Sequence, residues 1–211
     1  MKINSVLITR PKHDITTNYL YYWAGLVIKE AESKNIKIID LKEKRANCKE
    51  FTNVVKKINP DLIFLNGHGD SNTVTGHNNQ PLVENNRNES ILDKKIIYAL
   101  SCCSAKRLGV KCVKKGTQAY IGYNDDFIFM FEEDQTTHPT QDKTAKLFLK
   151  PSNLVVSTLI KNNSPKESYN RSQKAFKKNI TSLLSSETPH GRKETLPYLL
   201  WDMKHQVCLE K

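Results

Sequence analysis

The chain has 211 residues, 38% of them hydrophobic, with a formal net charge of +11 and a mean hydropathy of −0.57. That length suits one α/β domain with a core of its own, because single cores stop growing near ~250 residues, and recurrent apolar runs such as 61–65 and 96–100 exclude a disordered chain. No run approaches the ~20 apolar residues of a membrane span, and the apolar run after Met1 is shorter than the ~7 residues a signal-peptide core needs, so a soluble, cytoplasmic protein that engages no membrane is expected.

In chain order, 5–9 reads as a first strand. After Asp14 and two threonines, Leu20, Trp23, Ala24, Val27, Ile28 and Ala31 recur at spacings of three and four and predict one face of a helix. A second strand at 36–41 is followed by a helix marked by Phe51, Val54, Val55 and Ile58. Pro60 ends that helix ahead of a third strand at 61–66. The Asn-, Thr- and Gly-rich stretch 70–88 predicts a loop with a small hairpin around 73–77. A fourth strand at 95–100, a helix at 105–115 and a fifth strand at 118–123 complete a mainly parallel, doubly wound sheet. Beyond residue 142 the pattern turns helical, over 145–149, 153–160, 166–184 and 196–207, with turns at 162–165 and 185–191. The expectation is a three-layer αβα sandwich in a single domain, 1–211, with its sheet core in about 1–130 and a helical remainder over 131–211.

Charge and cysteine usage narrow the classes further. Lysines are spread along the chain, mostly at helix ends, so the net charge keeps a nucleic-acid partner open without marking a patch for it. Five cysteines (Cys48, Cys102, Cys103, Cys112, Cys208) are an odd number without a C-x-x-C pair, the pattern of reduced intracellular thiols. His77, His138, His190 and His205 have no cysteine or carboxylate at metal-ligand spacing, so neither a metal nor another cofactor is expected. Strand one leads into Thr9-Arg10-Pro11-Lys12, with neither G-x-G-x-x-G nor a P-loop, which weighs against a nucleotide-binding relative of the same βα pattern.

In an open α/β sheet the chemistry sits outside the carboxyl ends of the strands, and two of those ends carry reactive residues. His68 lies between Gly67 and Gly69 after the apolar run 62–65. Seen alone it reads as a turn residue. Cys102 follows the apolar run 96–100 at the same end of the sheet. A free cysteine is commonly a small buried hydrophobe. A thiol leading into a helix at 105 is instead expected to have a lowered pKa, and a histidine on the neighbouring strand end is placed to pass a proton to a leaving amine.

The segments Leu62-Ile63-Phe64-Leu65-Asn66-Gly67-His68-Gly69 and Ile96-Ile97-Tyr98-Ala99-Leu100-Ser101-Cys102 resemble the caspase-like cysteine peptidases. That clan holds caspases, metacaspases, gingipains, clostripain, separase and the CHAT-domain proteases, and stand-alone CHAT-like or gingipain-like members are the nearest in pattern. The resemblance covers about residues 1–130 and lacks the Gln-Ala-Cys-Arg-Gly signature of true caspases. It implies a Cys-His dyad of Cys102 and His68, with the Gly69 N–H in the oxyanion hole. Ser101 in the small position before the nucleophile makes Cys102 catalytic, whereas an alignment on Leu-Ser-Ala-Cys makes it Cys103. Cys102 is preferred because the alternative places a thiol where an alanine usually sits. Asp125 and Asp126, after strand five, are either turn residues or carboxylates that favour Lys or Arg at P1. The partners expected are a protein or peptide substrate and a regulatory protein. The rival expectation is a catalytically silent module of the same fold that binds a protein or nucleic acid.

Overall fold

Alternation along each central strand sorts the apolar residues into two cores, one on each face of a sheet. Val6 and Ile8, Leu62 and Phe64, Ile96, Tyr98 and Leu100, and Ile121 and Tyr123 point to one side. Leu7, Ile63 and Leu65, Ile97 and Ala99, and Tyr120 point to the other. A strand apolar on both faces must be covered on both, and each side chain so buried contributes about 1.5–3 kcal/mol. The computed structural model describes residues 2–184 and 193–211; the turn expected at 185–191, with His190, lies outside them.

The strands are β1 (Ser5–Arg10), β2 (Lys37–Lys42), β3 (Leu62–Asn66), β6 (Ile96–Leu100), β7 (Ala119–Tyr123) and β8 (Gln206–Glu210), in the spatial order β2-β1-β3-β6-β7-β8. All neighbours are parallel except β7 and β8. A separate hairpin pairs β4 (Thr73–Thr75) with β5 (Pro81–Glu84). One face is covered by α1 (Ile15–Glu32), α4 (Ala145–Leu159), α5 (Pro165–Leu183) and α6 (Leu196–His205). The other is covered by α2 (Cys48–Ile58), α3 (Val110–Lys114) and the hairpin. The fold is therefore α/β, a mostly parallel six-stranded sheet between two layers of helices.

Helix α1 begins where the sequence carries a reciprocal cap. The Asp14 carboxylate accepts from the Thr17 N–H while the Thr17 hydroxyl oxygen accepts from the Asp14 N–H, an arrangement that satisfies two otherwise orphaned donors. Three expectations are corrected. The segment 105–115 is not one α-helix: Ala105–Gly109 is a π-helical turn, because the Leu108 N–H donates to Ser71 O at 2.9 Å and the Gly109 N–H reaches back five residues to Ser104 O at 2.9 Å. The helices expected at 145–149 and 153–160 are one, α4, which runs through Pro151. Proline deprives the Leu147 carbonyl of its helical donor, and Asn179 Nδ2 of α5 supplies another at 2.7 Å. Finally, the helix expected to reach Val207 stops at His205, and 206–210 closes the sheet edge as β8. Val207 and Leu209 pack on one face and Cys208 on the other, so the C-terminal part is not purely helical.

Candidate active site

The ladder between β3 and β6 pairs Asn66 with Leu100, so His68 and Cys102 each stand two residues beyond the same rung of adjacent parallel strands. Their turns are bonded to each other: the Gly67 N–H donates to Leu100 O at 3.4 Å and the Ser101 hydroxyl to His68 O at 3.0 Å. Gly67 has φ +151°, and a Cβ there would run into Thr75 O; a Cβ on Gly69 would run into Ser101 Oγ and Thr73 O. Both positions require glycine because the hairpin and the cysteine turn press on the backbone. The bonds Asp70 N to Thr73 O and Thr75 N to His68 O, each 2.9 Å, bracket Gly69. Neither the Gly69 N–H nor the Cys102 N–H donates to another backbone group among the described residues.

The half-exposed His68 ring turns toward the start of α1, where its Nε2 lies 2.7 Å from Oδ2 of the cap residue Asp14. The other Asp14 oxygen, Oδ1, accepts from the Thr17 N–H at 2.7 Å and the Thr17 hydroxyl at 2.8 Å, so the carboxylate is clamped by the helix cap. Burial alone would raise the Asp14 pKa. The bonds from Thr17 and the pairing with His68 outweigh it and hold the carboxyl below its usual range. His13 stands next to this pair, its ring edge-on to both His68 and His77 with centroids 6.1 and 5.3 Å away.

Both thiols turn the other way, toward the segment after β7. Cys102 Sγ lies 3.7 Å from Phe127 O, and Cys103, at φ +56°, places its Sγ 3.4 Å from Asp126 Oδ1. Among the described residues no hydrogen bond joins His68 to either thiol. The expected lowering of the nucleophile pKa is not found. Burial, with the charges of Asp126 and Asp202 behind it, pushes the Cys102 thiol up to about 11, and burial together with Asp126 pushes Cys103 up to about 11. The short π-helical turn after Ser104 offers no regular helix terminus to offset this.

Asp125 and Asp126 stand beside Cys103, with Asp125 O accepting from the Cys103 N–H at 2.9 Å and Asp125 Oδ1 accepting from the Asp126 N–H at 2.9 Å. Trp201 Nε1 of α6 donates to Asp126 O at 2.9 Å. The next residue of α6 is one that pattern reading missed. Asp202 is fully buried, its Oδ1 accepts from the Ile128 N–H at 3.0 Å, and its Oδ2 has no partner among the described residues. Burial pushes its carboxyl well above the usual range. The available signal was its position three residues after Leu199, on the buried face of α6. Asp14 was legible only as a helix start. Sequence spacing gives no metal set, but in space two trios converge, His13, Asp14 and His68, and Cys103, Asp125 and Asp126, each with ligand atoms within 4.8 Å of one another. No helix among the described residues is long and apolar enough to cross a membrane.

No protein-family model matches the chain, and no curated protein matches it.

Proposed function

We propose that this chain is a caspase-like cysteine endopeptidase with Cys102 as nucleophile and His68 as its proton-transfer partner. The observation that carries this reading is the shared rung: a histidine and a thiol two residues past the paired ends of β3 and β6, with Gly69 pressed against the cysteine turn. In the proposed reaction the peptide lies between the His68 and Cys102 side chains. Cys102 Sγ bonds to the scissile carbonyl carbon as its proton passes to His68, and the carbonyl π pair moves to oxygen. The Gly69 and Cys102 N–H groups receive that oxyanion, donors of a kind typically worth ~3–4 kcal/mol in the transition state. When the C–N bond breaks, His68 gives its proton to the leaving amine. A water that His68 deprotonates then hydrolyses the thioester and restores the thiol. Asp14 acts as a positioning residue, holding the imidazole through its Nε2.

The acidic groups beside Cys103, Asp125 and Asp126, support a substrate with Lys or Arg at P1 in a chain otherwise of charge +11. Five unpaired cysteines suit a cytoplasmic setting, with a protein substrate and a regulatory protein as partners. A second reading, a silent module of the same fold, is favoured by the raised thiol pKa values and the missing thiol–imidazole bond. A peptidyl electrophile separates the two. Covalent labelling lost in Cys102→Ala and kept in Cys112→Ala supports the peptidase; a label that moves to Cys103 assigns the nucleophile there, and an unlabelled wild type supports the silent module.

A further inference from the structure

We propose that His13, Asp14 and His68 form a binding site for a divalent transition-metal ion such as zinc. The three residues come from two separate turns, the one between β1 and α1 and the one after β3, yet one ligand atom from each lies within 4.8 Å of the others. Asp14 Oδ2 is 2.7 Å from His68 Nε2 and 3.5 Å from His13 Nε2. Ligands held at about 2.0–2.1 Å in a tetrahedron stand roughly 3.3 Å apart; the His13–Asp14 separation is close to such an edge, and the His68–Asp14 pair, now at hydrogen-bond distance, would open by roughly half an ångström when an ion replaces the shared proton. Two imidazoles and one carboxylate also suit a borderline ion better than magnesium or calcium.

The scaffold is rigid on the protein side and open on the other. Asp14 Oδ1 is held by Thr17, which leaves Oδ2 for the ion. The backbone N–H groups of His13 and Asp14 donate to the Thr17 hydroxyl at 3.0 and 3.1 Å. The His13 side chain is 11% exposed, while those of Asp14 and His68 are each 37% exposed; His13 and Asp14 border a shallow, open depression shared with Lys12, Ile15, Asn18 and Thr136. Lys12 does not block it, because its ammonium lies over the Tyr22 ring and 3.3 Å from the Tyr22 hydroxyl. Asn79 Oδ1, 3.1 Å from His13 Nε2, offers an oxygen as a fourth ligand. Two buried ring nitrogens beside this cluster, His13 Nδ1 and His77 Nδ1, lack hydrogen-bond partners among the described residues; with Nε2 of His13 on the ion, its Nδ1 is left to bond a water outside the ligand shell.

A metal on His68 removes the imidazole from proton transfer, so zinc is inhibitory; that consequence alone rests on the peptidase reading, while binding is measured without substrate. The test is calorimetric titration of the metal-free protein with zinc chloride. One ion is expected to bind per chain, with affinity at least tenfold lower in His13→Ala and in Asp14→Asn, and unchanged in Cys103→Ser and His138→Ala. Asn caps helices as well as Asp does, so Asp14→Asn keeps α1 in place. Cobalt(II) is expected to give a spectrum without a thiolate charge-transfer band. No stoichiometric zinc binding overturns the site. So does affinity that survives in both His13→Ala and Asp14→Asn, or a thiolate band that vanishes in Cys103→Ser, which would place the ion at Cys103, Asp125 and Asp126.

Discussion

At the residue scale the site divides into groups whose position follows from a strand end and groups brought in by the fold. Asp14 belongs to the second kind, and the positioning role proposed for it can be isolated. Asp14→Asn keeps the cap on α1 but withdraws the anion beside His68, so kcat on a peptide substrate is expected to fall about tenfold or more with KM little changed. A rise in KM with kcat preserved would assign Asp14 to substrate binding instead. The thiols give a second expectation. With Cys102 held near 11 by burial and the nearby carboxylates, its alkylation by iodoacetamide in the free protein should climb steadily from pH 7 upward. The thiolate is the reactive form, so a rate that levels off near pH 7 would mean a preformed ion pair with His68. His68, Cys102 and Gly69 were legible because an apolar run ending in Gly-His-Gly or Ser-Cys marks a strand end on its own. Asp14 and Asp202 were not, because their relation to the site depends on where β1 and α6 come to lie.

At the element scale, α6 and β8 carry the clearest case. Asp202 lies on the buried face of α6 and ties the helix to the segment after β7 through the Ile128 N–H. Its carboxyl has a higher pKa folded than unfolded, so the fold favours the protonated form. The contribution to stability is fully present below about pH 3.9, the unfolded value, and is lost as pH rises toward the folded pKa, at about 1.4 kcal/mol per pH unit across that window. Asp202→Asn keeps the acceptor for Ile128 and removes the charge. Its Tm should equal that of the wild type near pH 4 and exceed it by several degrees at pH 7; a variant less stable than the wild type at pH 7 would show that the ionised carboxylate has a partner in the fold. The same region shows why boundaries were misread. Gln206–Glu210 is a five-residue edge strand joined directly to α6, so its alternation of Val207, Cys208 and Leu209 is too short to stand apart from a helical tail. The gap expected between 149 and 153 falls on Pro151, and the compensating donor, Asn179, is 28 residues further on in another helix.

At the scale of the whole molecule, two apolar faces per strand and helices between strands were enough to give the mainly parallel sheet from pattern alone, since each βα unit repeats a local signal. The antiparallel closing strand was not, because nothing local in 206–210 says which edge it joins. The distribution of charge is likewise a property of the assembled fold. A chain of net charge +11 places two carboxylates, Asp125 and Asp126, beside its thiols, and under the proposed reading a basic P1 side chain would meet a local field opposite in sign to the molecule as a whole. A charge-assisted contact typically contributes ~1.5–3 kcal/mol, which corresponds to roughly ten- to a hundredfold in kcat/KM. The most direct measurement is hydrolysis of a fluorogenic peptide library by the wild type, Cys102→Ala and Cys103→Ala. The account predicts cleavage by the wild type with Lys or Arg preferred at P1, loss of about a thousandfold or more in Cys102→Ala, and near-normal rates in Cys103→Ala; hydrolysis that persists in Cys102→Ala, or a wild type that cleaves no peptide, would contradict it.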